Sequence, residues 1–275
     1  MNGYCFGTEG EYRVTVAADR ASRERALSLV YGVYLASGLT GKRPSRMQLS
    51  IHDALPGTTC FLVERSAPTD AEPAAVASLT LIPDTELGLP MDAGCGKTLA
   101  ALRSEGRRPV ELAKLATVGA TEKRSSGRRA PREEILLHLF KLVYLTAFKA
   151  ERATDLVISV SRHQSRFFQR VFLFEPLDGQ AGEADAGLTV PLRLDLTTAD
   201  ERHRRRAQES HGEQRLYEFF VNAQEPEILD WLNASRRPLS DADARYLFAE
   251  RSALLRKVDE ATRRLVLESY PGIKL

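Results

Sequence analysis

One short segment of the chain places a carboxylate and an ammonium group among apolar residues. It reads VELAKLATV, from Val110 to Val118, and its alternation of side chains predicts a half-buried strand. Glu111 stands near the start of that strand. A carboxylate whose pKa is raised by burial can accept a proton during catalysis. The alternative is that Glu111 forms a structural ion pair with Lys114 or with an arginine.

Two further titratable residues are candidates for a site. Lys114 follows Glu111 by three positions, so the two side chains share a face of the strand only if a bulge intervenes. An exposed lysine is the equally simple interpretation. His163 lies in SRHQSRFF, after a predicted strand, where it could donate a proton or merely occupy the first turn of a helix.

Several familiar motifs are absent or incomplete. GCGKT, at Gly94 to Thr98, lacks the glycine that a phosphate-binding P-loop requires five positions before Gly96, because Met91 stands there. The five histidines and three cysteines are scattered, so neither a metal site nor a disulfide framework is expected. No Gly-x-Ser-x-Gly elbow occurs.

The elements around these residues alternate between strands and helices, which predicts a mixed α/β fold. Asp19 is expected to cap an amphipathic helix that follows a first strand, and Pro131 fits the first turn of a long helix. The predicted strands are Arg13 to Ala17, Cys60 to Glu64, Val76 to Ile82, Val110 to Val118, Leu156 to Ser161 and Leu188 to Leu196. The second and third have the spacing of a hairpin.

Composition indicates a globular chain. It has 275 residues, of which 43% are hydrophobic and 28% charged, and a formal net charge of +2. The longest strongly apolar stretch, Ile135 to Phe148, contains His138 and Lys141 and is too short to span a membrane, so we do not expect an integral membrane protein. The N-terminal segment lacks the pattern of a secretory signal, which makes the cytoplasm the expected compartment.

The character of the chain changes after Leu196. We therefore expect two parts, a catalytic-type α/β domain over residues 1–196 and a charged helical extension over residues 197–275. In the extension, Ser240 and Asp243 offer a capping pair for one long helix. Its apolar stripe is Leu247, Leu254, Val258, Ala261 and Leu265.

The order of elements between Val76 and Leu177 resembles the GNAT acyltransferase fold. More closely, the chain looks like the FeeM-type N-acyl amino acid synthases, which are relatives of the acyl-homoserine-lactone synthases. The resemblance extends over Tyr12 to Leu196. It is carried by SLTLIPDTELGLPMD, VELAKLATV, LHLFKLVYLTAF and LVISVSRHQSRFFQRVFLFEPL. It implies a central mixed sheet flanked by helices and the transfer of an acyl group from a thioester to an amine.

The resemblance also implies roles for particular residues. The backbone amides of Ala116, Thr117 and Val118 would bind the pantetheine amides and the thioester oxygen, and Glu111 would accept the proton of the amine. GNAT sites often use a tyrosine to protonate the leaving thiolate. Phenylalanines occupy that region here, which leaves His163 as the titratable candidate.

The chain departs from the family pattern at both substrates. Thr80 stands where family strands usually carry an arginine, and Lys114 replaces the arginine of a Glu-x-x-Arg pair, so these two residues bear on the amine substrate. The pyrophosphate loop becomes Arg124-Ser-Ser-Gly127-Arg128-Arg129, and an arginine in its last position would crowd a coenzyme A pyrophosphate. The implied donor is therefore a phosphopantetheine thioester on an acyl carrier protein, with acyl-CoA as the alternative and no permanently bound cofactor.

Two surfaces follow from this implied donor. Residues 123–132 carry five basic side chains and no acidic one, which would attract an acidic carrier protein; an ordinary solvated loop is the alternative. Nucleic acid is not expected, because no aromatic residues interleave with the charge. A fatty chain needs an apolar tunnel, for which the candidates are Leu139, Phe140, Val143 and Phe172, although plain core residues have the same spacing.

Two other functions compete with this interpretation. One is an acetyl-CoA-dependent GNAT enzyme that acts on a small amine or a protein lysine. The other is a catalytically silent protein that binds an acyl carrier or another protein.

Overall fold

The computed structural model describes residues 3–66, 72–118, 131–179, 189–220 and 225–273. Eight strands occur within these ranges. They are β1 (Tyr4–Phe6), β2 (Tyr12–Val16), β3 (Thr59–Arg65), β4 (Ala74–Pro83), β5 (Pro109–Thr117), β6 (Asp155–Ser161), β7 (Glu175–Pro176) and β8 (Thr189–Asp195). The six strands expected from the sequence are confirmed, while β1 and β7 are additions too short to be signalled by periodicity.

The strands form one mixed sheet in the order β1-β2-β3-β4-β5-β6-β8-β7. The hairpin prediction is confirmed, because β3 and β4 pair antiparallel, with Cys60 opposite Thr80. β5 and β6 are parallel, with Glu111 opposite Val157. A parallel pair needs a long crossover connection, which explains why a helix follows β5.

The helices within the described residues are α1 (Arg20–Ala36), α2 (Asp92–Ser104), α3 (Pro131–Tyr144), α4 (Arg162–Val171), α5 (Leu196–Ala207), α6 (His211–Phe220), α7 (Glu225–Ser235), α8 (Asp241–Arg245) and α9 (Glu260–Ser269). α1 begins where the sequence predicts, since the Asp19 carboxylate accepts a hydrogen bond from the Ser22 amide at 3.0 Å. None of these helices is long and apolar enough to cross a membrane.

The described chain divides into two compact units. Unit 1 contains Met1–Ile82, Lys114–Phe140 and Trp231–Leu275, and unit 2 contains Pro83–Ala113 and Lys141–Asp230. Each unit therefore combines residues from before and after Leu196.

Unit 1 has an apolar core built from distant parts of the chain. Leu27 of α1 packs with Met47 and Leu49, and also with the C-terminal residues Phe248 and Tyr270. A smaller cluster joins α1 to β3 and consists of Ala17, Ala26, Cys60 and Leu62. The C-terminal segment of the chain thus completes the core that supports α1.

Unit 2 is held together by buried ionic contacts and by aromatic packing. Asp155, at the start of β6, is fully buried and accepts hydrogen bonds from Arg107 at 2.6 Å and from Arg193 at 2.7 Å. Such a carboxylate is stable in the interior because two guanidinium groups compensate its charge. Near the end of α4, the rings of Phe168 and Phe172 pack against each other.

The single long helix expected after Ser240 is wrong. The Ser240 cap is present, since its hydroxyl accepts from the Asp243 amide, but α8 passes into a π-helical turn at Tyr246–Arg251. The path then breaks at Ala253, whose φ of 51° is left-handed. A short 3₁₀ turn follows, and α9 begins afresh at the cap Asp259. The apolar stripe of the sequence is therefore divided between separate helices.

The break at Ala253 supplies a stability test. A left-handed residue with a Cβ costs about 1–2 kcal/mol, whereas glycine loses about 0.5–1 kcal/mol more entropy on folding. Ala253→Gly is therefore expected to raise the free energy of unfolding by about 0.5–1 kcal/mol in urea denaturation. Ala101→Gly, at an exposed position inside α2, should lower it by a similar amount. A loss of stability in Ala253→Gly would contradict the assigned backbone strain.

Candidate active site

Glu111 is buried in β5 and is held by the loop that precedes α2. Its side chain is 5% exposed, and its Oε2 atom accepts a hydrogen bond from the Met91 amide at 2.7 Å. A backbone N–H aimed at a carboxylate favours the charged form. Since a carboxylate can accept about four hydrogen bonds, this contact is compatible with a second role for Glu111.

The thiol of Cys95 lies close enough to Glu111 to feel its charge. Burial raises the pKa of Cys95, and the negative charges of Glu111 and Asp92 raise it further. α2 is kinked at this cysteine, where φ is −116°. Cys95 is therefore a protonated, neutral neighbour of Glu111 at neutral pH.

Lys114 interrupts the regular alternation of β5. Its φ of 56° lies in the left-handed region, which is unusual for a residue with a side chain. The strand is therefore irregular between Glu111 and the residues after Lys114, as is required for the two side chains to share a face. The side chain is buried, and its Nζ donates to Asp53 Oδ1 and to Ser50 Oγ, both at 2.9 Å. The alternative of an exposed lysine is wrong.

Asp53 is the partner that sequence reasoning missed. It is 2% exposed, and its Oδ2 accepts from the Ser50 amide at 2.6 Å, which closes a capping box around a 3₁₀ turn at Ile51–Ala54. The Ser-x-x-Asp spacing of that box was a usable signal for a turn. Nothing local in the sequence connects it to Lys114, which is 61 positions away.

Thr80 is buried in the middle of β4. Its side chain is fully enclosed, and its hydroxyl oxygen has no hydrogen-bond partner among the described residues. A buried hydroxyl without a partner costs free energy, and a bound polar ligand would remove that cost. Thr80 and Lys114 both belong to unit 1.

The structure describes some, but not all, of the residues that we expect to bind the thioester. Ala116 and Thr117 lie in β5, and Ala116 is buried. The Val118 amide donates to the Val76 carbonyl oxygen at 2.8 Å, so the expectation that this amide is free for a pantetheine is corrected. Arg124, Gly127 and Arg128 lie outside the described residues.

His163 is exposed in the first turn of α4, after Ser161, whose hydroxyl accepts from the Gln164 amide. The register of β5 and β6 places Glu111 opposite Val157. Four strand residues, each rising about 3.3 Å, separate Val157 from Ser161, which amounts to ~13 Å. The structure therefore does not bring Glu111 and His163 within hydrogen-bonding distance of each other.

The four residues expected to line an acyl tunnel are all buried: Leu139, Phe140, Val143 and Phe172. Phe172 packs edge-on against Phe167 and Phe220. A groove with a volume of about 610 Å³ opens on unit 1, beside Leu29 and Val33 of α1 and Val118. None of the four expected residues lines that groove, and their tunnel role stays a prediction.

Comparison with known proteins identifies the family. The FeeM family, described as N-acyl amino acid synthase, matches residues 25–195, which is more than half of the chain. No curated protein sequence gives a significant match.

Solved structures share the fold at low identity. FeeM, an N-acyl amino acid synthase from uncultured soil microbes, is 19% identical with a TM-score of 0.54, over 69% of this chain and 93% of FeeM. The acyl-homoserine-lactone synthase LasI is 13% identical with a TM-score of 0.45, over 67% of this chain and 90% of LasI. The expected GNAT-like mixed α/β fold is confirmed. This chain belongs to the FeeM family of N-acyl amino acid synthases and is an N-acyltransferase.

Proposed function

We propose that the enzyme transfers a fatty acyl group from the phosphopantetheine thioester of an acyl carrier protein to the amino group of an amino acid or a similar amine. The observation that carries this proposal is Glu111, a carboxylate buried in β5 and held by a backbone amide. Membership of a family of N-acyl amino acid synthases supports the amine acceptor.

Each group in the reaction has a defined task. The amine nitrogen attacks the thioester carbonyl, a C–N bond forms, and the C–S bond breaks as the tetrahedral intermediate collapses. Glu111 takes the proton that the nitrogen loses and later releases it to solvent, and the pantetheine sulfur leaves as a thiolate that takes up a proton from solvent. No step is assigned to His163, because a thiolate leaves without an acid and this histidine is exposed in the first turn of α4.

For the amine substrate, we propose that the Thr80 hydroxyl is the contact and that Lys114 is a positioning residue. The ammonium of Lys114 is already compensated by Asp53, so the pair presents no net charge to a substrate carboxylate. Thr80 instead offers a buried hydroxyl that lacks a partner among the described residues. A substrate polar group placed against it would recover the hydrogen bond that the folded protein forgoes.

For the donor, the proposal rests on charge in the sequence. Residues 123–132 carry five basic side chains and follow β5 directly. Carrier proteins are acidic, and attraction between opposite charges accelerates association. An acyl-CoA donor is the competing possibility. In that case the same arginines would bind the phosphates of coenzyme A and not an acidic protein surface.

Replacing the proposed base tests the chemical step. Glu111→Gln keeps the shape of the side chain but cannot accept a proton, so turnover is expected to fall by roughly 10²-fold or more. The matched control is Glu64→Gln, which alters a buried strand glutamate that is paired with Arg25. Steady-state rates and melting temperatures of both variants decide the outcome. Full activity in Glu111→Gln would assign this residue to structure.

Reversing two arginines tests the carrier protein. Arg124→Glu with Arg128→Glu is expected to raise the KM for an acyl carrier substrate more than tenfold and to leave a short acyl-pantetheine nearly unaffected. Salt should weaken the wild-type interaction and have little influence on the variant. The control is Arg204→Glu with Arg205→Glu, which makes the same change in charge on exposed positions of α5. Equal losses with both donors would reject carrier docking.

A further inference from the structure

The loop between β4 and α2 determines what Glu111 contacts. Met91, the last residue before α2, is buried and sends its amide to Glu111 Oε2 at 2.7 Å. The position of this N–H depends on the path of residues 84–92. Any group that fixes this path therefore also fixes the hydrogen bond to the proposed base.

Arg103 fixes the two ends of this loop at once. From the last turn of α2 it binds Asp84 through Nε at 2.6 Å and Nη2 at 2.8 Å, and Asp92 through Nη1 and Nη2, both at 2.7 Å. Two forked pairs of this kind are geometrically specific, which an ammonium group cannot reproduce. The hydrogen bonds that Arg103 donates to Asp92 and Asp84 raise its pKa, so the guanidinium stays charged.

Asp92 passes this constraint to Met91. Its Oδ2 accepts from the Leu89 amide at 2.6 Å, and its own amide donates to the Leu89 carbonyl oxygen at 2.9 Å. Gly88 turns the chain with a φ of 72°, and a Cβ at this position would lie 2.7 Å from Asp92 Oδ2. Met91 thus lies between Leu89 and Asp92. Arg103 holds the Asp92 carboxylate, and that carboxylate in turn holds the Leu89 amide.

We propose that Arg103 is a positioning residue: by holding Asp84 and Asp92 it keeps the Met91 amide on Glu111 and so sets the pH range in which Glu111 accepts the proton of the amine. The inference rests on the proposed function, because it takes Glu111 as the base. Every contact in this chain of interactions lies within unit 2.

The surroundings of Glu111 favour this route. On α2, the Cys95 thiol, whose pKa is raised by burial, lies close enough to Glu111 to feel its charge, and Asp92 is paired with Arg103. On β6 the residue opposite Glu111 is the apolar Val157. On β5 itself, Lys114 is paired with Asp53. The Met91 amide, which donates to Glu111, is a contact through which Arg103 can act on this carboxylate.

The test is the pH dependence of kcat/KM in Arg103→Met. Loss of the amide would disfavour the carboxylate form, so the acidic limb of the profile is expected to move upward by about one pH unit, equivalent to about 1.4 kcal/mol. Arg103→Lys should behave similarly, because an ammonium cannot hold both carboxylates. If Arg103→Met does not fold, Arg103→Lys and Asp92→Asn carry the same expectation. An NMR titration of Glu111, assigned with Glu111→Gln, gives the shift independently of turnover.

Arg107→Met is the matched control. Arg107 also joins two carboxylates of unit 2, Asp155 at 2.6 Å and Asp195 at 2.8 Å, and should cost similar stability without moving the acidic limb. Equal profiles in Arg103→Met and Arg107→Met, with Glu111→Gln inactive, would overturn the positioning role alone. Undiminished turnover in Glu111→Gln would instead overturn the proposed function.

Discussion

The free-energy cost of burying two charged side chains in β5 determines which other segments must pack against this strand. β5 carries a carboxylate at Glu111 and an ammonium at Lys114, and both are nearly inaccessible to water. An isolated charge in the interior costs several kcal/mol unless hydrogen bonds or an opposite charge compensate it. Glu111 receives the Met91 amide, and Lys114 receives Asp53 and Ser50. The burial of these two charges therefore depends on the positions of the segments that contain Met91, Ser50 and Asp53.

The two compensations differ in chemical consequence. The Lys114–Asp53 pair is close to neutral as a unit, and Lys114 also donates to Ser50, which suits a structural or orienting task. Glu111 accepts a hydrogen bond from a backbone amide, a dipole that favours the charged carboxylate without adding a full charge of its own. A backbone amide can tune such a group without introducing a second titration, which a cationic side chain nearby would do.

Patterns of short range were readable from the sequence, and contacts of long range were not. The Asp19 cap and the start of the crossover helix α3 depend on residues a few positions apart, the hairpin of β3 and β4 depends on the alternation within two neighbouring segments, and each was predicted. The Glu111–Met91 and Lys114–Asp53 contacts join residues 20 and 61 positions apart, which no local propensity records. The left-handed backbone at Ala253 could not be predicted either. Alanine is a strong helix former, and the apolar residues on both sides of it keep helical spacing.

Family resemblance, and not periodicity, is what singled out Glu111 from 37 acidic residues as the proposed base. It was less informative about the amine side, where Thr80 and Lys114 depart from the usual pattern. There the structure shows Lys114 paired with Asp53, and the buried Thr80 hydroxyl has no hydrogen-bond partner among the described residues.

The way the last segment packs has a consequence for how the chain folds during synthesis. Leu27, Met47 and Leu49 share a core with Phe248 and Tyr270, near the opposite end of the chain. The residues of unit 2 all emerge from the ribosome by Asp230, whereas unit 1 lacks part of its interior until Ile273 has emerged. The part of α1 that packs on this segment is consequently enclosed only long after the helix itself has been made, and until then its apolar side chains are exposed to unwanted contacts.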